Sequence, residues 1–140
     1  MNIFLDSSVL LAACGSSKGA SRALFQLASR NDWTLLVSPY VLAEITKNLG
    51  LFPPAASTDW DHLRQSLAVV DDVVSMDRIT VFSAAKDRPI LFTALAWANV
   101  LLTLDRGDFG ELLGGNFYGL EIMKPSTFIE RARAAGRLRS

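Results

Sequence analysis

The 140-residue chain contains one cysteine and one histidine. Cys14 alone can form neither an internal disulfide nor a thiolate metal cage. In the run Val9-Leu10-Leu11-Ala12-Ala13-Cys14 it reads as a small buried hydrophobe. A single imidazole, His62, excludes metal-free phosphodiester chemistry run by a pair of histidines, and its setting in Asp61-His62-Leu63 predicts surface exposure. No apolar stretch reaches the roughly 18 residues of a membrane span. The first residues enter a strand directly, without a basic leader region and cleavage site, so a cytoplasmic location is expected. No glycine-rich loop is present to cradle a nucleotide cofactor. The formal net charge is zero, with 14 basic and 14 acidic residues, which argues against a chain-wide nucleic-acid-binding surface.

Hydrophobic residues make up 50% of the chain, enough for a core of ordinary domain size. One domain over residues 1–140 is expected, with a basic C-terminal segment at 131–140. That segment holds Arg131, Arg133, Arg137 and Arg139 and no acid, so it carries +4 and the remainder −4. Cations suit a helix C-terminus, and they equally suit contact with phosphate or a partner.

Apolar strand-like runs alternate with helical patterns. Strands are predicted at Asn2 to Leu5, Trp33 to Val37, Val100 to Leu104 and Leu120 to Met123, with a short one at Ile79 to Phe82. Helices are predicted at Ser7 to Cys14, Ala20 to Arg30, Pro39 to Leu49, Asp59 to Val74 and Ile90 to Ala98, with another after Pro125. A loop or short helix is expected around Asp108 to Leu113. Ser38-Pro39 and Asp87-Arg88-Pro89 supply helix caps followed by an early proline. Strands separated by helices imply parallel pairing with right-handed crossovers, hence an α/β fold with helices on both sheet faces. Ligands on such sheets bind at the carboxyl ends of the strands.

Two acids fall at that edge. Asp6 closes the first strand, and Asp105 closes Val100-Leu101-Leu102-Thr103-Leu104. A carboxylate at a buried strand tip is costly alone, two side by side repel, and a divalent cation with hard oxygen ligands relieves both costs. Glu44, flanked by Val41, Leu42 and Ile45, and Asp87 add two more carboxylates. Each has a structural reading as well: Asp87 as a helix cap, Glu44 as the ion-pair partner of Lys47 or Lys18.

Taken together, Leu5-Asp6-Ser7-Ser8-Val9-Leu10, Ser38-Pro39-Tyr40-Val41-Leu42-Ala43-Glu44-Ile45, Lys86-Asp87-Arg88-Pro89-Ile90-Leu91 and Leu102-Thr103-Leu104-Asp105-Arg106-Gly107-Asp108-Phe109 resemble the PIN-domain nucleases, especially the VapC-type toxins of toxin–antitoxin systems. The resemblance implies a three-layer α/β/α sandwich with a mainly parallel central sheet. It places metal-binding and catalytic acids at Asp6, Glu44, Asp87 and Asp105, with Asp108 as an accessory acid. It puts Ser7 and Thr103 beside the acids as hydroxyls that orient a carboxylate or a metal-bound water. Two positions depart from the pattern: Ser8 stands where many relatives have Asn, and Leu104 where Gly is common. The implied activity is Mg²⁺-dependent endoribonuclease hydrolysis, with Mn²⁺ able to substitute. The implied partners are an RNA substrate, a cognate antitoxin and a second copy of the chain, for which Leu49-Gly50-Leu51-Phe52 is a candidate contact. Lys47, Lys86, Arg88 and Arg106 surround the acids as candidate RNA contacts.

Other readings fit less well. Lys124-Pro125 is similar to a feature of receiver domains, but those need adjacent acids after the first strand, and Asp6 is followed by Ser7-Ser8. Haloacid-dehalogenase phosphatases need a second Asp at position 8, which is Ser. A catalytically silent PIN scaffold that binds RNA or protein is the remaining alternative.

Overall fold

The computed structural model describes residues 1–73 and 88–140, with the backbone alone of Arg88 and Asp108. The elements run β1 (Asn2–Leu5), α1 (Ser7–Gly15), α2 (Ala20–Ala28), β2 (Thr34–Val37), α3 (Pro39–Asn48), α4 (Pro54–Leu63), β3 (Leu67–Val69), α5 (Arg88–Trp97), β4 (Val100–Leu102), α6 (Arg106–Phe109), β5 (Asn116–Phe117), β6 (Leu120–Met123) and α7 (Pro125–Ala134). The described strands form one sheet in the order β3-β2-β1-β4-β6-β5. All pairings are parallel except the β5–β6 hairpin.

From β1 the chain steps to β2 and then β3 in one direction. β4 then returns to the other side of β1, and β6 continues outward. Right-handed crossovers in opposite directions put their helices on opposite faces. The reversal leaves a crevice between β1 and β4 at the carboxyl edge, where open α/β sheets bind ligands. Burial on both faces explains the unbroken apolar strands. Ile3, Phe4, Leu5, Leu101 and Leu102 are fully buried, each contributing about 1.5–3 kcal/mol relative to exposure.

Local chemistry accounts for most boundaries. Ser38 accepts a hydrogen bond from Val41 N–H, with Pro39 opening α3. The Asp72 carboxylate accepts from Tyr40 N–H at 3.1 Å, adding negative charge at the helix start. Arg22 ties three helices together. Its Nε donates to the Ala13 carbonyl, and its guanidinium pairs with Asp59 at 2.8 Å. α7 ends in a Schellman turn at Gly136 (φ +69°), with Arg137 N–H donating to the Ala132 carbonyl and Gly136 N–H to the Arg133 carbonyl. The turn sends the chain back to Asn31, whose side-chain amide donates to the Arg139 carbonyl and accepts from Arg139 N–H. The basic C-terminal segment is therefore anchored, with Leu138 packed on the core.

One expected element is corrected. The helix predicted from Asp59 to Val74 is instead α4, begun earlier by Pro54, then a short turn over Arg64–Ser66 and the strand β3. Helix propensity is a weak prior that tertiary pairing overrides. Leu67, Ala68 and Val69 take the open ladder of β2, opposite Leu35, Leu36 and Val37. The sequence reading also missed β5, which pairs with β6 through Tyr118 (φ +49°) and Gly119 (φ +90°). Two consecutive positive φ values are the signature of a tight type I′ hairpin, usually carried by Asn-Gly. The strand predicted at Ile79 to Phe82 lies outside the described residues.

After α6 the backbone folds closely on itself. A Cβ at Gly110 would collide with the Arg106 carbonyl oxygen. Gly110→Ala is expected to lower stability by about 1–3 kcal/mol, the usual cost of forced overpacking. Unchanged chemical denaturation of that variant would contradict this account of the turn.

Candidate functional site

Parallel register builds the site. Leu5 of β1 lies opposite Leu102 of β4, and Asp6 N–H continues the ladder to the Leu102 carbonyl at 3.0 Å. One step beyond the strands, Asp6 and Thr103 therefore stand beside each other. Asp6 also opens α1 as its N-cap, where the helix dipole favours negative charge.

The Asp6 carboxylate is 4% exposed and well supplied with donors. Its Oδ1 accepts from Ser7 N–H at 2.8 Å. Its Oδ2 accepts from Ser8 Oγ at 2.8 Å and from Thr103 Oγ1 at 2.7 Å. The same two hydroxyls secure the loop between β4 and α6: Ser8 Oγ accepts from Leu104 N–H, and Thr103 Oγ1 accepts from Asp105 N–H, both at 3.0 Å. Burial nevertheless raises the Asp6 carboxyl above the ordinary carboxylate range; the hydrogen bonds from Thr103, Ser8 and Ser7 oppose this, and the neighbouring Asp105 charge adds to it. A buried carboxylate held by oriented donors, and repelled by a second carboxylate, suits a hard cation.

The expected residues are placed as follows. Asp6 and Asp105 come together at the β1–β4 crevice. Thr103 is fully buried and links the two acids. Ser7 contributes its backbone N–H, and the orienting hydroxyl belongs to Ser8. Reasoning from sequence noted Ser8 only as a departure from Asn and missed this role. The available signal was its position two residues after the first acid, one turn-step into the helix. Glu44 lies half-buried on α3, with Oε1 shielded from solvent. It lines a depression of about 490 Å³ with Tyr40, Ala43, Lys47 and Asn48. Among the described residues, which leave out Asp87 and the Asp108 side chain, no group of three or more His, Cys, Asp and Glu is placed to hold a metal ion. Asp87 and Lys86 lie outside the described residues, as do the side chains of Asp108 and Arg88. Leu104 is 39% exposed beside Asp105.

Nucleophilic side chains are not offered by the two residues that titrate most usefully elsewhere. Cys14 is buried, and burial pushes its thiol up to about 11. His62 is exposed on α4. Among the described residues, no helix is long and apolar enough to cross a membrane.

A family model described as the PIN domain matches residues 2–107. No curated protein matches the chain. Solved structures share its fold, two of them as follows. One is VapBC2 from Rickettsia felis, crystallised bound to a DNA fragment from the promoter. Its matching chain has a TM-score of 0.60 and 17% identity, with 87% of this chain and 97% of that chain covered. The other is PAE2754 from Pyrobaculum aerophilum, with a TM-score of 0.60 and 19% identity, covering 96% of this chain and 90% of that chain.

Proposed function

The chain belongs to the PIN-domain family, and from that premise we propose that it is a metal-dependent endoribonuclease acting as the toxin of a toxin–antitoxin pair. The observation that carries the reading is the buried Asp6 carboxylate, oriented by Ser8 and Thr103 and set against Asp105 at the sheet's switch point. Asp6 and Asp105 would hold a divalent cation, with Glu44 and Asp87 completing the acidic set and Asp108 as an accessory acid. Mg²⁺ is the proposed ion, with Mn²⁺ able to replace it. When bound, such an ion supplies Lewis acidity toward a phosphodiester and activates water near neutral pH.

The chain's own contribution is positioning. Ser8 and Thr103 fix the Asp6 carboxylate, and Thr103 fixes the backbone of Asp105. The N-terminus of α1 stabilises negative charge at Asp6. Lys47 and Arg106, exposed near Glu44 and Asp105, are proposed to meet RNA phosphates. No protein nucleophile is required, which agrees with a buried thiol at Cys14 and an exposed His62. The likeness to a VapBC complex supports an antitoxin partner, and a homodimer and a cytoplasmic location complete the proposal.

The alternative reading is a silent PIN scaffold that binds RNA or protein. Thermal unfolding with and without Mn²⁺ separates the two. A ligand at 100 times its Kd stabilises a folded protein by about 2.7 kcal/mol. The nuclease reading predicts a rise of several degrees with millimolar Mn²⁺, reversed by EDTA, and no shift would favour the scaffold. The toxin role predicts growth arrest on expression that disappears in Asp6→Asn. Arrest that persists unchanged in that variant would count against it.

A further inference from the structure

A second concave site lies at the opposite edge of the sheet. β1, β4 and β6 are parallel, so Met1, Asn99 and Gly119 mark their amino ends, while Asp6 and Asp105 mark carboxyl ends. Met1 to Asp6 spans five strand steps, roughly 16 Å. α7 follows β6 and runs back over the sheet, which delivers Arg131 to the amino edge. The Schellman turn at Gly136 then doubles Arg137 back onto the same place. These residues line a pocket of about 330 Å³ with an apolar wall of Val100, Met123 and Phe128. That volume sits at the small end of ligand sites, roughly 300–1,000 Å³.

Its two arginines are exposed, while the Met1 ammonium donates to the Asp32 carbonyl. Among the described residues, the Arg131 and Arg137 guanidiniums take part in no ion pair or hydrogen bond. Asn99 Oδ1 accepts from Asn2 N–H at 2.9 Å, which leaves its amide N–H groups as the donors available to the pocket. Helix-dipole compensation explains a cation in the last turn of α7. It does not explain Arg137, which lies beyond the helix and faces the same cavity.

We propose that this pocket binds a phosphomonoester of mononucleotide size, held by Arg131, Arg137 and the Asn99 amide. Two guanidiniums match the −1.5 to −2 charge and three oxygens of such a group at pH 7 better than the single charge of a carboxylate. The apolar wall receives the attached sugar or base. Glu121, exposed and also lining the pocket, accepts ligand hydroxyls, and the two guanidiniums outweigh its repulsion of the phosphate. The same chemistry has two sources, a free mononucleotide or the 5′-phosphate end of an RNA strand. Neither depends on the acidic site, so this inference stands apart from the nuclease reading.

Titration calorimetry in EDTA and about 150 mM salt, where surface electrostatics are screened, tests it. The probes are AMP, a 5′-phosphorylated trinucleotide and adenosine. Saturable one-to-one binding of AMP is expected, weakened roughly tenfold or more by Arg131→Ala or Arg137→Ala. Arg133→Ala, exposed on the same helix but outside the pocket, should bind as wild type does. Binding of the trinucleotide without AMP would support the site and name an RNA end as its source. No saturable binding of either phosphorylated probe, equal binding of adenosine, or equal weakening by Arg133→Ala would overturn the proposal.

Discussion

Asp6→Asn is expected to lower RNA hydrolysis by more than about 100-fold, beyond the 10–100-fold typical of residues that only orient a ligand, while raising the stability of the metal-free protein. The two effects have one cause. Folding buries the Asp6 carboxyl, and burial raises its pKa above the unfolded value despite three hydrogen bonds. A group shifted in that direction is favoured by folding when protonated. Its contribution is fully present below the unfolded pKa and is lost as pH rises through the folded one. At pH 7–8 the metal-free wild type therefore carries a buried charge that asparagine lacks, and a bound cation offsets that cost. Thermal unfolding in EDTA should show Asp6→Asn above wild type, with a gap that grows through the carboxylate range and then levels. Adding Mn²⁺ should raise wild type and leave the variant unmoved. A variant that is less stable at every pH would mean that the hydrogen bonds accepted by the Asp6 carboxylate outweigh the cost of burying its charge.

Thr103→Val has the second-largest expected effect, and it tests the link between the acids. Valine keeps the shape and removes the hydroxyl. Asp6 Oδ2 loses its 2.7 Å partner and Asp105 N–H loses its acceptor, both at a residue with no solvent exposure. Stability should fall by about 1–3 kcal/mol, and activity by about 10–100-fold. The Thr103 hydrogen bond is the largest influence lowering the Asp6 carboxyl, so its removal lets that carboxyl rise further. The acid limb of the pH–rate profile should then move to higher pH. Thr103→Ser, which retains the hydroxyl, should keep the wild-type profile and most of the rate. Equal losses in Val and Ser would assign the effect to packing rather than to the hydrogen bonds.

The sequence made the frame of this site legible because its chemistry is local. Asn2–Leu5 and Leu120–Met123 are short apolar runs whose bounds match the prediction. Ser38-Pro39 announces α3 through a cap and a fixed φ. An Asp closing an apolar run is visible without any structure. Asp6 directly follows β1, whereas β4 ends at Leu102, short of the predicted Leu104, so Asp105 stands three residues beyond it. The β1–β4 register brings Asp6 and Thr103 side by side. What was hidden depends on long-range pairing. β3 is helical by pattern and becomes a strand because β2 offers it an open edge. Ser8 joins the site because its hydroxyl reaches Leu104 N–H, 96 residues away along the chain. The pocket lined by Arg131, Arg137 and Asn99 needs both the antiparallel return of α7 and the Schellman turn. Only the charge of the C-terminal segment was apparent beforehand.

Cleavage of a fluorophore-labelled single-stranded RNA, followed with Mn²⁺ or EDTA for wild type and Asp6→Asn, tests the central claim most directly. The account predicts cleavage by wild type with Mn²⁺, none in EDTA, and none above background for the variant under either condition. Full cleavage in EDTA, or equal cleavage by Asp6→Asn, would contradict it.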